Sequence, residues 1–240
     1  MIDQIGAIAG PAVYATMVGV LAGVPSASDR RRWTTFIAAA AWGAVVVAVA
    51  ALGGFEPGAT GAVPGPGLAF AALLAVLLGS WFLLPGFRAA LLAVPLAALV
   101  ALNVARLGGV LFLVLAADGR LSAPFAPSAG WGDIITGLFA LPLALMARRD
   151  AGRLATPLAL WNAFGILDLV AAISLGMLSA PGTPLRVFTE GPGTAAMGEL
   201  PWIMVPALLV PIYLLIHLAI ATKLRSAHRL AAAAATEPER

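Results

Sequence analysis

The sequence predicts an all-α, polytopic integral membrane protein of seven transmembrane helices, with the N-terminus outside and the C-terminus cytoplasmic. Three observations carry that reading. Of 240 residues, 61% are apolar and only 10% are charged, whereas soluble domains carry about 25% Asp, Glu, Lys and Arg. The apolar residues come in long blocks, each near the roughly 20 residues that cross a bilayer, and mean hydropathy is +0.99. The basic residues fall in alternate connectors. Several spans use nearly the whole chain, which leaves no room for a soluble catalytic domain.

The predicted helices run over 4–24, 33–54, 67–84, 89–117, 131–147, 154–178 and 200–222. The first begins in a stretch with no basic n-region and with Asp3, so it reads as a retained span and not as a cleaved signal peptide. Residues 1–222 form the bundle and 223–240 a polar cytoplasmic tail. One set of connectors holds Arg30, Arg31, Arg32, Arg88, Arg148, Arg149 and Arg153, and the tail adds Lys223, Arg225, Arg229 and Arg240. The opposite set holds Arg120 and Arg186, and Arg106 falls inside a span. Positive charge retained on one side sets that side as cytoplasmic. The pI near 10 is therefore a topology signal, and no nucleic-acid partner is implied. The partner expected is the bilayer of the cell (plasma or inner) membrane.

Trp33, Trp81, Trp131 and Trp202 fall near predicted helix ends, where indole rings favour the interface, while Trp42 and Trp161 lie deeper as packing residues. Abundant Gly and Ala, such as Gly19 and Gly23 four apart, permit close helix approach. Two outside segments, Phe55–Gly67 and Ala180–Glu199, are rich in Gly and Pro. They read either as flexible connectors or as a lid over an outward-facing pocket.

Several chemistries are excluded by composition. The chain has no cysteine, so thiolate catalysis, disulfides and cysteine metal sites are absent. One of its two histidines, His228, lies in the tail, which disfavours a histidine-built zinc or bis-histidine haem site. No phosphate-cradling loop is present. Seven spans invite comparison with retinal proteins, but a Schiff base needs an amine in the middle of the last helix, and Lys223 sits at its cytoplasmic end. No cofactor or metal is expected.

Ionisable groups inside hydrocarbon cost about 2.5–3.5 kcal/mol each on insertion scales, so retained ones face the bundle interior and carry partners. The candidates are Asn103 and Arg106 on the fourth predicted helix, Asp133 and Thr136 on the fifth, Asn162 and Asp168 on the sixth, and His217 on the seventh. With a rise of about 1.5 Å per residue, Asp168 and Asn103 lie about 21 Å above the cytoplasmic helix ends and Arg106 about 26 Å. Asp133 enters from outside at a height like that of Arg106. Asn162 lies about 12 Å up and His217 about 8 Å. The set thus divides into an outer storey of Arg106, Asp133, Asp168 and Asn103 and an inner one of Asn162 and His217. Asn103 and Arg106 share a face, as do Trp161, Gly165 and Asp168.

Each candidate has a plainer alternative. Asp133 occupies an N-cap or first-turn position, Arg106 snorkels to outer headgroups, Asn162 bonds between helices, and His217 bonds a neighbouring carbonyl. Asp168 resists such a reading, because it is deep and not at a helix end. On the last helix Pro206 and Pro211 free the carbonyls of Trp202 and Ala207, which are candidate acceptors for an ion or solute.

Three functions fit these residues. The first is binding or transport of a small polar solute or ion, coupled to protons, with Arg106, Asp168, Asp133, Asn103, Asn162 and His217 as ligand-binding or ion-coupling residues; homo-oligomerisation would compensate for the small size. The second is a membrane-embedded enzyme acting on a lipid or isoprenoid, with an aspartate as general acid–base. The third is a non-catalytic scaffold in which the polar groups lock helix register.

Overall fold

The computed structural model describes residues 1–23, 28–149 and 154–236, with side chains as far as Arg229. Val24, Arg153 and Arg240, included in the helix and charge pattern above, lie outside the described residues. Among the described residues the fold is all-helical, and seven helices are long and apolar enough to cross a membrane. They are α1 (Ile2–Ala22), α2 (Asp29–Ala51), α3 (Gly65–Leu83), a composite fourth span over Leu96–Ala117, α7 (Phe125–Ala147), α8 (Ala155–Leu178) and a seventh span over Val205–Arg229.

The fourth span departs most from the sequence expectation. Pro95 has no N–H to continue a helix, and it pushes Val94 into extended backbone (φ −61°, ψ 131°). A short amphipathic helix, α4 (Pro85–Ala93), is therefore split from α5 (Leu96–Ala101). Lys223 closes the broken end: its Nζ donates to the carbonyl of Leu92 at 2.6 Å. After α5 the chain tightens into a 3-10 stretch, Leu102–Gly109, and returns to α-helix in α6 (Val110–Ala117). Side chains three apart eclipse in a 3-10 helix, which aligns Asn103, Arg106 and Gly109 on one buried face. That face meets α7 at very short range. A Cβ on Gly137 would stand 2.7 Å from the Leu107 backbone nitrogen, and one on Gly109 would stand 2.5 Å from Asp133 Cβ.

Helix α7 begins at Phe125 and not near 131, with Pro124 as the residue before its first turn. The Gly130-Trp131-Gly132-Asp133 run lies well inside it, its glycines serving close packing and not termination. The last span starts with a π-helical turn, Val205–Leu209, followed by α9 (Val210–Thr236), which continues unbroken beyond residue 222. This span is the axis of the fold. Of its most apolar 18-residue stretch 67% is buried, against 6% for α2. Elsewhere large apolar side chains face outward, among them Ile8, Phe82, Leu160 and Leu167.

Both prolines of the last span leave carbonyls that find partners inside the chain, so neither is free for an ion or solute. The Trp202 carbonyl accepts from Val205 N–H at 3.0 Å, and the Ala207 carbonyl accepts from Trp42 Nε1 at 3.2 Å. Two of the four interfacial tryptophans are also placed differently from expectation. Trp81 and Trp202 are buried, Trp81 under the Arg88 guanidinium and Trp202 donating to Asp3 Oδ1 at 2.7 Å. Trp33 and Trp131 are exposed.

The two ends of the bundle differ in chemistry. At one, Asp3 and Glu199 both bind Arg120, at 2.7 and 3.2 Å, tying the start of α1 to the connectors before α7 and before the last span. The Asp3 contact raises the Arg120 pKa further above its ordinary value against a smaller desolvation effect. At the other end lie Arg31 beside Gly86, and Lys223 on Leu92.

Removing the Trp42 N–H leaves the Ala207 carbonyl unpaired, a loss of about 1–3 kcal/mol for a buried acceptor. Trp42→Phe is expected to lower the thermal midpoint in detergent accordingly. The loss should shrink in a Pro211→Ala background, where residue 211 regains the N–H that Ala207 lacks as a helical partner. Equal losses in both backgrounds would assign Trp42 to packing alone.

Candidate functional site

Arg106 is 2% exposed at the centre of the fold, and the 3-10 stretch directs it between α7, α8 and α9. Its Nε donates to Asp133 Oδ1 at 2.6 Å, its Nη2 to Asp168 Oδ2, and its Nη1 to the Gly165 carbonyl at 3.3 Å. Nη1 also lies 3.2 Å from His217 Nε2. The Tyr213 ring stands 5.7 Å from the guanidinium carbon.

The polarity of these bonds fixes the histidine. An arginine only donates, so Nε2 of His217 is the acceptor and Nδ1 carries the proton. Nδ1–H then donates to Asn162 Oδ1 at 2.9 Å. The orientation of Asn162 is set in turn, since its Nδ2 donates to the His217 backbone carbonyl at 3.3 Å. Trp161 packs beside the imidazole with ring centres 5.6 Å apart and donates to the Thr136 carbonyl at 3.0 Å. His217 is therefore held as the neutral Nδ1–H tautomer.

Space for these groups comes from glycine. The Asp168 carboxylate lies against Gly132, where any Cβ would overlap it. A Cβ on Gly165 would stand 2.5 Å from His217 Cε1 and 3.2 Å from Arg106 Nη1. The small residue that the sequence put on the Asp168 face thus admits the histidine and arginine of other helices.

Five of the seven candidate residues meet in one network: Arg106, Asp133, Asp168, Asn162 and His217. Asn103 shares the buried face but does not join it; its Nδ2 donates to Leu99 O at 3.1 Å, and its Oδ1 has no partner, like the Thr136 hydroxyl. The two-storey division is corrected, because His217 touches Arg106. The reason lies in the helix ends. Measured from Leu96, with 3-10 residues rising about 2 Å each, Arg106 is about 17 Å up; measured from Arg229, His217 is about 18 Å up. The N-cap reading of Asp133 also falls, because α7 starts two turns earlier. Snorkelling of Arg106 falls too, since its guanidinium is enclosed. Tyr213 and Gly132 were not singled out in the sequence. Tyr213 lies one turn before His217 on the same face, which is the signal that could have found it.

Two cavities of about 90 Å³ each converge on Asp133 and share Phe112, Leu169, Val205 and Val210 as walls. The first lies beneath the two Gly/Pro-rich segments, which pack on each other: a Cβ on Gly182 would stand 2.9 Å from Gly58 N, and both glycines have positive φ. Phe55, Phe125, Met177 and Met197 add to its apolar lining, so both segments contribute to the wall of one cavity. The second lies between α1 and the fourth span and reaches Arg106 as well. Asp133, with its side chain 18% exposed, is the most accessible member of the charged trio. Among the described residues no group of His, Asp and Glu is arranged to hold a metal ion.

A family model described as a domain of unknown function (DUF8737) matches residues 63–225, well over half of the chain, so the chain belongs to that family. The match covers every residue of the charged network. No curated protein and no solved structure matches the chain.

Gly165→Ala is expected to destabilise the protein by about 1–3 kcal/mol through overpacking. Gly19→Ala, where an added Cβ meets nothing within 4 Å, is expected to be neutral or slightly stabilising. Thermal unfolding in detergent compares the two; equal midpoints would mean that His217 has other room to occupy.

Proposed function

We propose that this DUF8737 member is a multi-pass protein of the cell membrane that binds or transports a small solute or ion at the Arg106–Asp133–Asp168 cluster. The observation that supports it most is the charge of the cluster. One guanidinium, two carboxylates and a neutral imidazole sum to −1 with both carboxylates ionised. A surplus charge in a low-dielectric interior is costly, and one proton or one monovalent cation cancels it. Asp133 is the natural place, because Asp168 is enclosed while Asp133 faces both cavities. Proton coupling follows from the same balance: a solute cation and a proton compete for one compensating charge. His217, with its Nε2 lone pair engaged by Arg106, positions the guanidinium and does not itself relay.

A scaffold role is the second reading, favoured by how completely Arg106 is used. Its donors reach α7, α8 and α9, as a device that sets helix register would. The two readings separate on Asp133→Asn, which leaves Arg106 and Asp168 as a neutral pair. Calorimetric titration of the purified wild type with Na⁺, K⁺ or acid is expected to register uptake of about one compensating charge per chain, and the Asn variant none. If the wild type takes up nothing in this region and the variant is merely less stable, the cluster is a register lock.

The orientation proposed is N-terminus outside and C-terminus cytoplasmic, from the concentration of Arg and Lys at one set of connectors. A C-terminal fluorescent fusion is expected to glow and a C-terminal periplasm-dependent phosphatase to stay inactive. The reverse pattern would invert the direction in which the covered cavity faces.

A further inference from the structure

The cavity between α1 and the fourth span has an unusual position. Its walls include Gly6, Ala9 and Gly10 on one side and Ala105 and Gly108 on the other, and Ala105 and Gly108 are exposed. It opens on the side of the bundle, in the half nearer the Asp3–Arg120 end, since Gly6, Pro201 and Trp202 line it. At its inner end stands Asp133, whose Oδ1 is held by Arg106 while its Oδ2 accepts no hydrogen bond from the described residues. About 90 Å³ encloses a head group and not a drug-sized molecule, which needs several hundred. The rest of any ligand must therefore lie in the open part of the crevice, among small apolar residues.

We propose that the ligand is a hydrophobic monocation, an ammonium head on an alkyl body, which reaches Asp133 sideways through this crevice. The ammonium donates to Asp133 Oδ2 and cancels the surplus charge of the cluster, while the alkyl body stays along α1 and the fourth span. This deepens the reading of the cluster as a cation site and rests on it. Apart from Asp133, Arg106, Trp202 and Tyr213, the residues lining the crevice are apolar, which gives an alkyl body a surface to lie on.

The absence of cysteine allows a direct test on the full chain in phosphatidylcholine vesicles. A side chain at Gly108 meets nothing within 4 Å, so Gly108→Cys places one thiol at the crevice mouth, with Gly19→Cys as a control on α1. Dodecylammonium is expected to slow N-ethylmaleimide labelling of Gly108→Cys by about tenfold or more at saturation, and to leave Gly19→Cys unaffected. Dodecanol, with the same chain and no charge, should not protect. Adding Asp133→Asn should weaken the protection by about tenfold, as expected for loss of a charge-assisted contact, and Asp133→Glu should restore part of it. Equal protection by dodecanol, or protection that survives Asp133→Asn, would overturn the proposal. Charge uptake from Na⁺ or acid that depends on Asp133, together with no protection by dodecylammonium, would overturn this inference and leave the cation-site reading standing.

Discussion

The guanidinium of Arg106 organises the fold because, among the described residues, it is the cation to which the carboxylates of two helices are directed. Asp133 comes from α7 and Asp168 from α8, and the same side chain contacts a backbone carbonyl of α8 and the imidazole of α9. Each contact requires a helix at close range, and the glycines supply that range: Gly137 and Gly109 between the fourth span and α7, Gly132 between α7 and α8, Gly165 between α8 and α9. Packing and electrostatics are thus one constraint. A residue larger than hydrogen at any of these positions separates a charge from its partner.

The histidine shows how far this constraint extends. His217 is neither a ligand awaiting a metal nor a proton donor facing open space. Asn162 bonds it twice, through side chain and backbone, and so commits its lone pair to Arg106. The effect is to hold the guanidinium plane from the side opposite the carboxylates. Of the two carboxylates, Asp133 is the one that borders both cavities and the one whose side chain is more exposed.

Much of this was legible in the sequence. The seven spans followed from apolar block length, and the polar residues that matter followed from the cost of ionisable groups in hydrocarbon. The shared faces of Asn103 with Arg106, and of Trp161, Gly165 and Asp168, followed from helical spacing. Heights were not legible, since they depend on where helices end, and apolar sequence marks those ends poorly. Pro95 cut residues 89–94 from the fourth span, Phe125 began α7 before its Gly-Trp-Gly run, and α9 continued beyond residue 222 as far as Thr236. These shifts merged two storeys into one. Nor could the sequence say that Trp42 would satisfy the carbonyl freed by Pro211, a contact across 165 residues. Composition likewise gave Trp202 no reason to turn inward to Asp3.

The 3-10 pitch of Leu102–Gly109 has a mechanical consequence. A 3-10 helix turns about 120° per residue and an α-helix about 100°, so winding the four steps from Leu102 to Arg106 into α form would swing the guanidinium by about 80°. The eight-residue stretch would shorten by about 4 Å over the same change. The winding of this single segment therefore fixes the direction in which the guanidinium points, and with it the contact to both aspartates.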